Sequence, residues 1–391
     1  MNAFDNEHSM DRLTLKIAMV VPRYGQVGGG ERFVMALTEQ LAAMDHLEMH
    51  VFANRWDTKS SGVFYHKVPI ITFPRFLKTV SFAYFANRRI AAAGMDLIHT
   101  HDRIFEADLF TAHGLPHATW IRQVRQKRLS LFDRATAWVE GRLITSERCR
   151  TILAVSSLVK KEITTIFPQS IEKIEVLSPG VDIAPFEGLN PDDCRAHIRE
   201  RLGMADSDRI ILFVGMNFEV KGLESIIRAV ADLKRNAPSA AKTVKLLVVG
   251  KGDIDRYRAI ARHLGIESDV YFTGIWREEI APIYMAVDLF VMLSVFDTFG
   301  LAVLEAMAAG LPVIISPTVG AKDIVRSGEN GFIVSPSHVS EISRYMALAL
   351  EPGIQARMAA HARQTAKVHS WASMAKQVDR IYEQIAPARR R

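Results

Sequence analysis

Residues 294–315 read SVFDTFGLAVLEAMAAGLPVII, a stretch that predicts a loop, a helix, a turn and the start of a strand. The preceding residues 287–293 are apolar and rich in β-branched and aromatic side chains, which is typical of a buried parallel strand. Val303 and Met307 are spaced for one face of a helix, and the Gly-Leu-Pro at 310–312 ends it. A strand, a helix and a second strand in this order indicate an α/β domain with a doubly wound sheet.

Two carboxylates flank the start of that helix. Asp297 lies in the loop after the strand, and Glu305 follows it on the helix. The N–H groups of Phe299, Gly300 and Leu301 stand at the positive end of the helix, where backbone donors have no partner within the helix. Ligands of open α/β sheets bind beyond the carboxyl ends of the strands, so we expect a ligand site among these five residues.

Length and composition fit a globular protein with two hydrophobic cores. The chain has 391 residues, of which 49% are hydrophobic and 24% are charged. It contains no apolar run of about 18 residues, so no membrane-spanning helix is predicted. Residues 1–13 lack the layout of a signal peptide and predict a disordered terminus. The cysteines are Cys149 and Cys194, which favours a reducing, cytoplasmic compartment without a disulfide framework.

Strands and helices alternate in two successive sets along the chain. The first set of predicted strands covers residues 15–21, 49–53, 68–73, 96–100, 107–112, 151–155 and 174–177. The second set covers residues 209–214, 245–249, 270–274, 287–293, a strand beginning at 313–315, and 331–334. We therefore predict two Rossmann-like domains at residues 14–190 and 191–370, followed by a helix and a basic tail at 371–391.

The first strand leads into a glycine-rich turn that a helix follows. At Gly29 and Gly30 the backbone can approach a phosphate or a sugar closely, because no side chain intervenes. The turn lacks the G-x-G-x-x-G pattern, which disfavours a dinucleotide cofactor. Two later strands carry histidines near their ends, namely His99, His101 and His113. The H-x-H spacing of the first two would fit a metal ion on one strand face, but no third ligand is evident.

The stretch at 294–315 resembles the acidic-x7-Glu signature of retaining glycosyltransferases of family 4, which have the GT-B fold. The usual form is E-x-F-G, three hydrophobic residues and x-E-A-M-A-x-G-x-P-V, and Asp297 stands here in place of the first Glu. The resemblance covers roughly residues 15–385 and is strongest at 178–334. It implies an α/β chain with two Rossmann-like doubly wound domains facing a cleft, and a C-terminal helix that crosses back onto the N-terminal domain.

The resemblance implies donor-binding roles for residues of the second domain. Lys221 matches the family's lysine on the donor diphosphate, whereas Met216 replaces the arginine that accompanies it. Glu305 is expected to bind the ribose, Gly250 to border the nucleotide pocket, and Ile275 to offer main-chain groups to the base. One positive charge is therefore missing beside the diphosphate.

By the same resemblance, the catalytic side chains are His113, Asp297 and Lys221. His113 is expected by the donor sugar and the acceptor, and Asp297 on a donor hydroxyl, a role compatible with capping the following helix. Either Arg23 or a helix dipole supplies the missing positive charge, or the affinity for the donor is lower. The family needs no metal ion or other cofactor. The implied reaction is retaining: the acceptor hydroxyl attacks from the front face, and an oxygen of the leaving diphosphate takes its proton.

Residues 117–150 carry eight Arg or Lys against three acids, together with several aromatic side chains. Residues 73–90 mix aromatic and basic side chains in the same way. Such stretches predict either a surface that meets anionic lipid or a phosphorylated sugar, or a solvated helix face. No nucleic-acid reader motif is present, so nucleic acid is not an expected partner. The residues assigned to membrane or acceptor contact are Arg122, Arg125, Lys127 and Arg128.

The segments at 52–56 and 177–180, together with Met216, resemble lipopolysaccharide core glycosyltransferases, including those that transfer glucose to heptose. The resemblance implies UDP-glucose as donor, a lipopolysaccharide or other lipid-linked acceptor, and a peripheral position at the cytoplasmic face of the inner membrane. Three alternatives stay open. They are a capsular or lipid glycosyltransferase with another donor, an epimerase with Asp96 and Asp102 as paired acids, and a non-catalytic sugar-binding protein.

Overall fold

The computed structural model describes residues 14–25, 28–236, 242–276 and 279–386. The predicted disordered terminus at 1–13 and the arginines of the predicted basic tail lie outside these ranges. The strands in chain order are β1 Leu15–Val20, β2 Arg23–Tyr24, β3 Leu47–Ala53, β4 Arg55–Trp56, β5 Val63–Lys67, β6 Leu97–Thr100, β7 Leu109–Ala112, β8 Thr151–Ala154, β9 Ile174–Val176, β10 Arg209–Met216, β11 Val244–Lys251, β12 Val270–Gly274, β13 Leu289–Met292, β14 Val313–Ile315 and β15 Gly331–Ile333.

The α-helices of the same ranges alternate with these strands, as a doubly wound fold requires. They are α1 Gly29–Ala42, α2 Leu77–Ala93, α3 His117–Thr119, α4 Leu131–Thr145, α5 Ser157–Ile166, α6 Ala184–Glu187, α7 Pro191–Leu202, α8 Leu223–Asn236, α9 Ile254–His263, α10 Ala281–Ala286, α11 Leu301–Ala308, α12 Val339–Ala349, α13 Pro352–Val368 and α14 Trp371–Ile385. A π-helical turn at Trp120–Val124 follows α3, and 3-10 turns cover Pro168–Lys173, Glu267–Asp269 and Gly320–Asp323.

Two large parallel sheets organise the described residues, which confirms two Rossmann-like domains. The order is β5-β3-β1-β6-β7-β8-β9 in the first sheet and β12-β11-β10-β13-β14-β15 in the second. Because the order of each sheet reverses beside β1 and β10, crevices for ligands form at the carboxyl ends of these strands. The predicted domain boundary at residue 190 lies between α6 and α7.

One predicted strand is wrong in position. The strand expected at 68–73 lies instead at Val63–Lys67, where it pairs in parallel register with Met49–Ala53 of β3. The apolar run at 68–73 contains a proline at position 69 and is followed by another at 74, and proline cannot donate a ladder hydrogen bond. Only Val68 of that run is buried, so the run is not a core strand. Its apolar composition caused the wrong prediction.

The last helix crosses back onto the N-terminal domain, as predicted. Ser370 caps α14 by accepting the N–H of Ser373 at 3.2 Å, and Met374, Val378 and Ile381, which share one face of the helix, are buried. Three contacts then join the helix to the first domain. They are His46–Asp379 at 2.9 Å, His99–Tyr382 at 2.7 Å, and the Arg150 guanidinium to the carbonyl of Ile385 at 2.6 Å.

Candidate active site

Helix α11 begins where the central stretch requires a glycine. Gly300 is the N-cap and has φ +90°, a left-handed conformation that favours glycine. A Cβ at this position would lie 2.5 Å from the terminal methyl of Met292, so a larger residue would also clash. The tight turn places Leu301 at the helix start, directly beyond the end of β13.

Asp297 and Lys221, both predicted to be catalytic, meet in this structure. The Lys221 ammonium group donates to Oδ2 of Asp297, and their side chains are 23% and 13% exposed. Oδ1 of Asp297 accepts the N–H of Phe299 at 3.3 Å. The Phe299 N–H is therefore not the free helix-end donor that we expected, and Gly300 rather than Asp297 is the N-cap of α11.

The loop that carries Lys221 is fixed against the strand that carries Asp297. Gly222 has φ +75°, and a Cβ there would lie 2.0 Å from the carbonyl oxygen of Leu293. The Val295 N–H donates to the carbonyl of Val220 at 2.8 Å. This close packing at the ends of β10 and β13 explains how residues far apart in sequence form one ion pair.

Glu305 has a partner that the sequence did not reveal. The hydroxyl of Tyr284, a fully buried residue of α10, donates to Oε2 of Glu305 at 2.9 Å. Burial and the Glu305 carboxylate raise the pKa of Tyr284 well above its ordinary value, so the phenol stays a donor. Tyr284 thereby orients Glu305, and within the described ranges no hydrogen bond to Oε1 of Glu305 is formed.

The predicted backbone positions also lie at the strand ends. A Cβ on Gly29 would come within 3.9 Å of Leu301, so the first glycine turn faces α11 across the cleft, and Gly30 has open space around it. Gly250 has φ +135°, and a Cβ there would meet the carbonyl oxygen of Gly215 at 1.8 Å. Ile275 is 55% exposed just after β12.

His113 directly follows β7 and lies in a cluster of aromatic rings. One ring nitrogen lies 2.9 Å from Nδ1 of His101, and the Phe33 ring packs edge-on at 4.5 Å. Burial and the positive charge of Arg103 lower the pKa of His113 to about 4, so its imidazole is neutral at pH 7. His99 is bonded through both ring nitrogens, to Tyr382 and Thr111 at 2.7 Å each.

No metal centre emerges among the described residues, since no group of three or more His, Cys, Asp or Glu is arranged to hold an ion. Asp96 and Asp102, the candidate acids of an epimerase, stand before and after β6 and thus at opposite ends of that strand. They do not form a pair.

A cavity of about 240 Å³ lies between the domains. Its lining residues are Arg103, Gly114, Leu115, His117, Trp120 and Thr298. It adjoins the sequence neighbours of both His113 and Asp297, so it is a space next to the predicted catalytic groups. Sequence reasoning missed Arg103 and His117. The only signal was that His117 follows soon after the T-A-H-G segment.

Two acids, Glu140 and Asp133, fix the polar side of this cavity. Glu140 is 3% exposed and accepts from Nε of Arg103 at 3.0 Å and from the N–H of His117 at 2.6 Å. The Glu140 contact uses the backbone N–H of His117, whereas Nε2 of its ring lies 2.9 Å from Oδ1 of Asp133. The cavity therefore presents a rigid set of polar groups beside the indole of Trp120.

Direct hydrogen bonds hold the two domains together at the cleft. Ser156 Oγ donates to the carbonyl of Thr298 at 2.6 Å. The N–H and the hydroxyl of Ser157 both donate to the Asp323 carboxylate at 2.5 Å. Trp120 and Phe296 approach each other across the same gap, with ring centroids 6.5 Å apart. These contacts describe a closed cleft.

The basic residues assigned to membrane or acceptor contact lie together on the surface. Arg122 is in the π-helical turn after α3, and the others are in the loop before α4. All four are exposed, and none forms an ion pair with another described residue. Arg23, a candidate for the missing charge, donates to Asp57 at 3.0 and 3.2 Å instead, so its charge is already balanced.

Two facing parallel sheets with ligand crevices at their switch points, closed by a crossing C-terminal helix, define the GT-B fold. The structure of WaaG, a glycosyltransferase involved in lipopolysaccharide biosynthesis, has a TM-score of 0.74 at 20% identity and covers 93% of this chain and 99% of WaaG. Anabaena HepE in complex with UDP-glucose has a TM-score of 0.68 at 19% identity and covers 95% and 100%.

Sequence comparisons define the enzyme class. The model of Glycosyltransferase Family 4 matches residues 27–184, and that of Glycosyl transferases group 1 matches residues 195–369. An uncharacterized glycosyltransferase of Methanocaldococcus jannaschii is 28% identical over 94% of this chain and 98% of its own length. A D-inositol 3-phosphate glycosyltransferase of Frankia alni is 27% identical over 95% and 98%. The chain is a glycosyltransferase of the GT-B fold.

Proposed function

We propose that the protein transfers a hexose from a nucleotide sugar, UDP-glucose, to a lipopolysaccharide core or another lipid-linked glycan, with retention at the anomeric carbon. The observation that carries the proposal is the arrangement around the cleft. Glu305, held by Tyr284, and the Lys221–Asp297 pair stand at the switch point of one sheet, and His113 stands at the end of a strand in the other. The UDP-glucose complex of HepE and the role of WaaG support this choice of donor and acceptor.

In this proposal each group acts on one part of the donor. Oε1 of Glu305 accepts from a ribose hydroxyl, and the Lys221 ammonium group moves toward the diphosphate as the leaving group gains charge. Asp297 faces the sugar carbon that develops positive charge. Neutral His113 offers a hydrogen bond to a sugar hydroxyl without adding a repelling cation.

The acceptor enters the 240 Å³ cavity between the domains in the same proposal. Its hydroxyl attacks the anomeric carbon from the face that the diphosphate leaves, and a diphosphate oxygen takes the hydroxyl proton. The step is metal-independent and needs no cofactor. The Trp120 ring serves as an apolar platform for an acceptor sugar. The closed cleft excludes water, which would otherwise hydrolyse the donor.

Exposed aromatic side chains support a peripheral position on an anionic membrane at its cytoplasmic face. The aromatic ones lie in the segment 71–76 and on helices α2 and α4, and the most exposed are Phe73 at 87%, Trp138 at 54% and Tyr84 at 52%; the aliphatic Leu131, at 70%, lies with them at the start of α4. Exposed basic residues adjoin them in the loop before α4. Apolar insertion combined with charge attraction is how interfacial surfaces bind lipid. No helix among the described residues meets the length and hydrophobicity of a membrane span.

The test is turnover of UDP-glucose with purified lipopolysaccharide core acceptors, with product configuration read by NMR. A retained α-linkage supports the proposal, and inversion contradicts it. Glu305→Ala should abolish UDP binding, while the exposed Glu351→Ala serves as the control. A protein that neither transfers glucose nor hydrolyses the donor would be a binding protein instead.

A second candidate is a phosphorylated cyclitol acceptor, which the Frankia alni relative favours. It uses the same donor site and the same cavity, so the acceptor panel should include inositol 3-phosphate. Transfer to that compound and to no lipid-linked glycan would replace the first proposal.

A further inference from the structure

Two cations that the sequence offered for the donor diphosphate are already paired with carboxylates. A nucleoside diphosphate carries at least two negative charges at neutral pH. Lys221 is matched by Asp297, and Arg23 is matched by Asp57. Met216 contributes none. If the donor is a nucleotide sugar, as proposed above, another cation has to stand near the end of β10.

Lys251 stands beside that position by sheet register. Strands β10 and β11 pair in parallel from Arg209 and Val244 onward, and the last matched pair is Met216 with Lys251. Neighbouring strands lie about 4.8 Å apart, and register partners project on the same face of a sheet. Lys251 is exposed, and its ammonium group forms no ion pair with a described residue.

The face on which Lys251 projects is the face of the proposed nucleotide site. Alternate residues of β10 and β11 pack into two different cores. Leu212 and Val249 belong to the core that includes α11 and Tyr284, whereas Phe213 and Val248 belong to the core under α8. Continuing the alternation by two residues puts Lys251 on the side of Glu305, which α11 carries.

The backbone of Lys251 is locked to the loop that carries Lys221. Its carbonyl accepts the N–H of Asn217 at 2.8 Å. A Cβ on Gly250 would lie 1.8 Å from the carbonyl oxygen of Gly215, and a Cβ on Gly252 would lie 2.3 Å from the Phe218 ring. The two glycines thus permit a contact that holds a lysine against the proposed diphosphate loop.

We propose that Lys251 binds the diphosphate of the donor and supplies the positive charge that Met216 does not. The assignment rests on the proposed function, because it requires a nucleoside diphosphate in this cleft. Lys251 lies on β11, the strand next to β10. The same anion can therefore contact Lys221 and Lys251 together. A charge-assisted contact of this kind strengthens UDP binding but leaves uridine unaffected.

The experiment is calorimetric binding of UDP and uridine to the full chain. Lys251→Ala should weaken UDP about ten- to a hundredfold and change uridine by less than about twofold, since a hydrogen bond to a charged group is lost. Lys251→Arg should retain most of the UDP affinity. Lys367→Ala, an exposed lysine in the last turn of α13, is the matched control and should bind both as the wild type does.

Moving the cation to the neighbouring strand separates loss of charge from a folding defect, because a misfolded variant would not regain UDP affinity. In the Lys251→Ala background, Met216→Arg should restore UDP affinity, because it places a cation on the neighbouring strand. UDP affinity unchanged in Lys251→Ala, but lost in Glu305→Ala, would overturn the Lys251 assignment and leave the donor site standing. Loss in Arg32→Ala instead of Lys251→Ala would assign the charge to the exposed arginine of α1. A wild-type chain that does not bind UDP would overturn the donor proposal itself.

Discussion

Replacing Lys221 with alanine should destabilise the free protein because it leaves the Asp297 carboxylate without its cation. Asp297 is 13% exposed, and its remaining close partner is the Phe299 N–H at 3.3 Å. An unpaired carboxylate at such a site costs about 2 kcal/mol, less than a fully buried one because solvent reaches it. For a chain of 391 residues that unfolds as a unit, this corresponds to a fall in Tm of about 2–3 °C.

A second substitution tests whether loss of the Lys221–Asp297 ion pair causes the fall in Tm. Adding Asp297→Asn removes the unpaired charge and keeps an oxygen for the Phe299 N–H, so we expect the double variant to recover at least half of the lost Tm. Thermal melts of the two single variants, the double variant and Lys367→Ala complete the cycle. Additive losses, with a coupling below about 0.5 kcal/mol, would refute the reasoning. Donor turnover should be lost in the single and the double variants alike.

Three further outcomes follow from the site. Tyr284→Phe keeps the buried ring but removes the donor to Glu305, so UDP affinity measured by calorimetry should fall about tenfold with little change in far-UV circular dichroism. His113 is neutral in the folded state down to about pH 4, whereas an unfolded histidine binds a proton below about pH 6.5. The His113 share of the free energy of unfolding should therefore fall by about 3 kcal/mol as the pH drops through this window. In pH-dependent melts, His113→Asn should lack that share, while buried His99 and His101 keep theirs. Serine at Arg122, Arg125, Lys127 and Arg128 together should weaken sedimentation with anionic vesicles at low salt. Serine at the exposed Arg357 and Lys367 should not.

The fold was predictable because its signals are local. Apolar runs bounded by glycine, proline and polar residues predicted all but one of the strands in the two large sheets within about two residues, whereas the short β2 and β4 were not predicted. The central stretch predicted a loop, a helix, a turn at 310–312 and the start of a strand, and these elements occur in that order. The run at 68–73 was wrongly predicted as a strand because its hydrophobicity gives no sign that proline lacks the N–H that strand pairing needs. Val63–Lys67, with polar residues among its apolar ones, pairs with the edge of the sheet instead.

The candidate site was predictable only in part, because its decisive contacts join distant residues. Glu305 and Asp297 were identified from the motif, but the hydrogen bond from Tyr284 depends on how α10 packs against α11. Arg103 and His117 become part of the cleft only through Glu140, which lies on a different helix. A sequence pattern records spacing along one element and carries no record of such cross-element pairing.

The two departures from the family pattern can be explained by one local arrangement. With aspartate at 297, the shorter side chain still reaches Lys221, because the loop before Gly222 packs directly on the carbonyl of Leu293. That pairing uses the charge of Lys221 in the free protein, and methionine at 216 adds no replacement. The locked turn around Lys251 then provides a cation on the adjacent strand. The negative charge of the donor diphosphate is thus balanced by a cation on β11 instead of one on β10. A Met216→Arg substitution in the wild type should therefore raise UDP affinity only modestly.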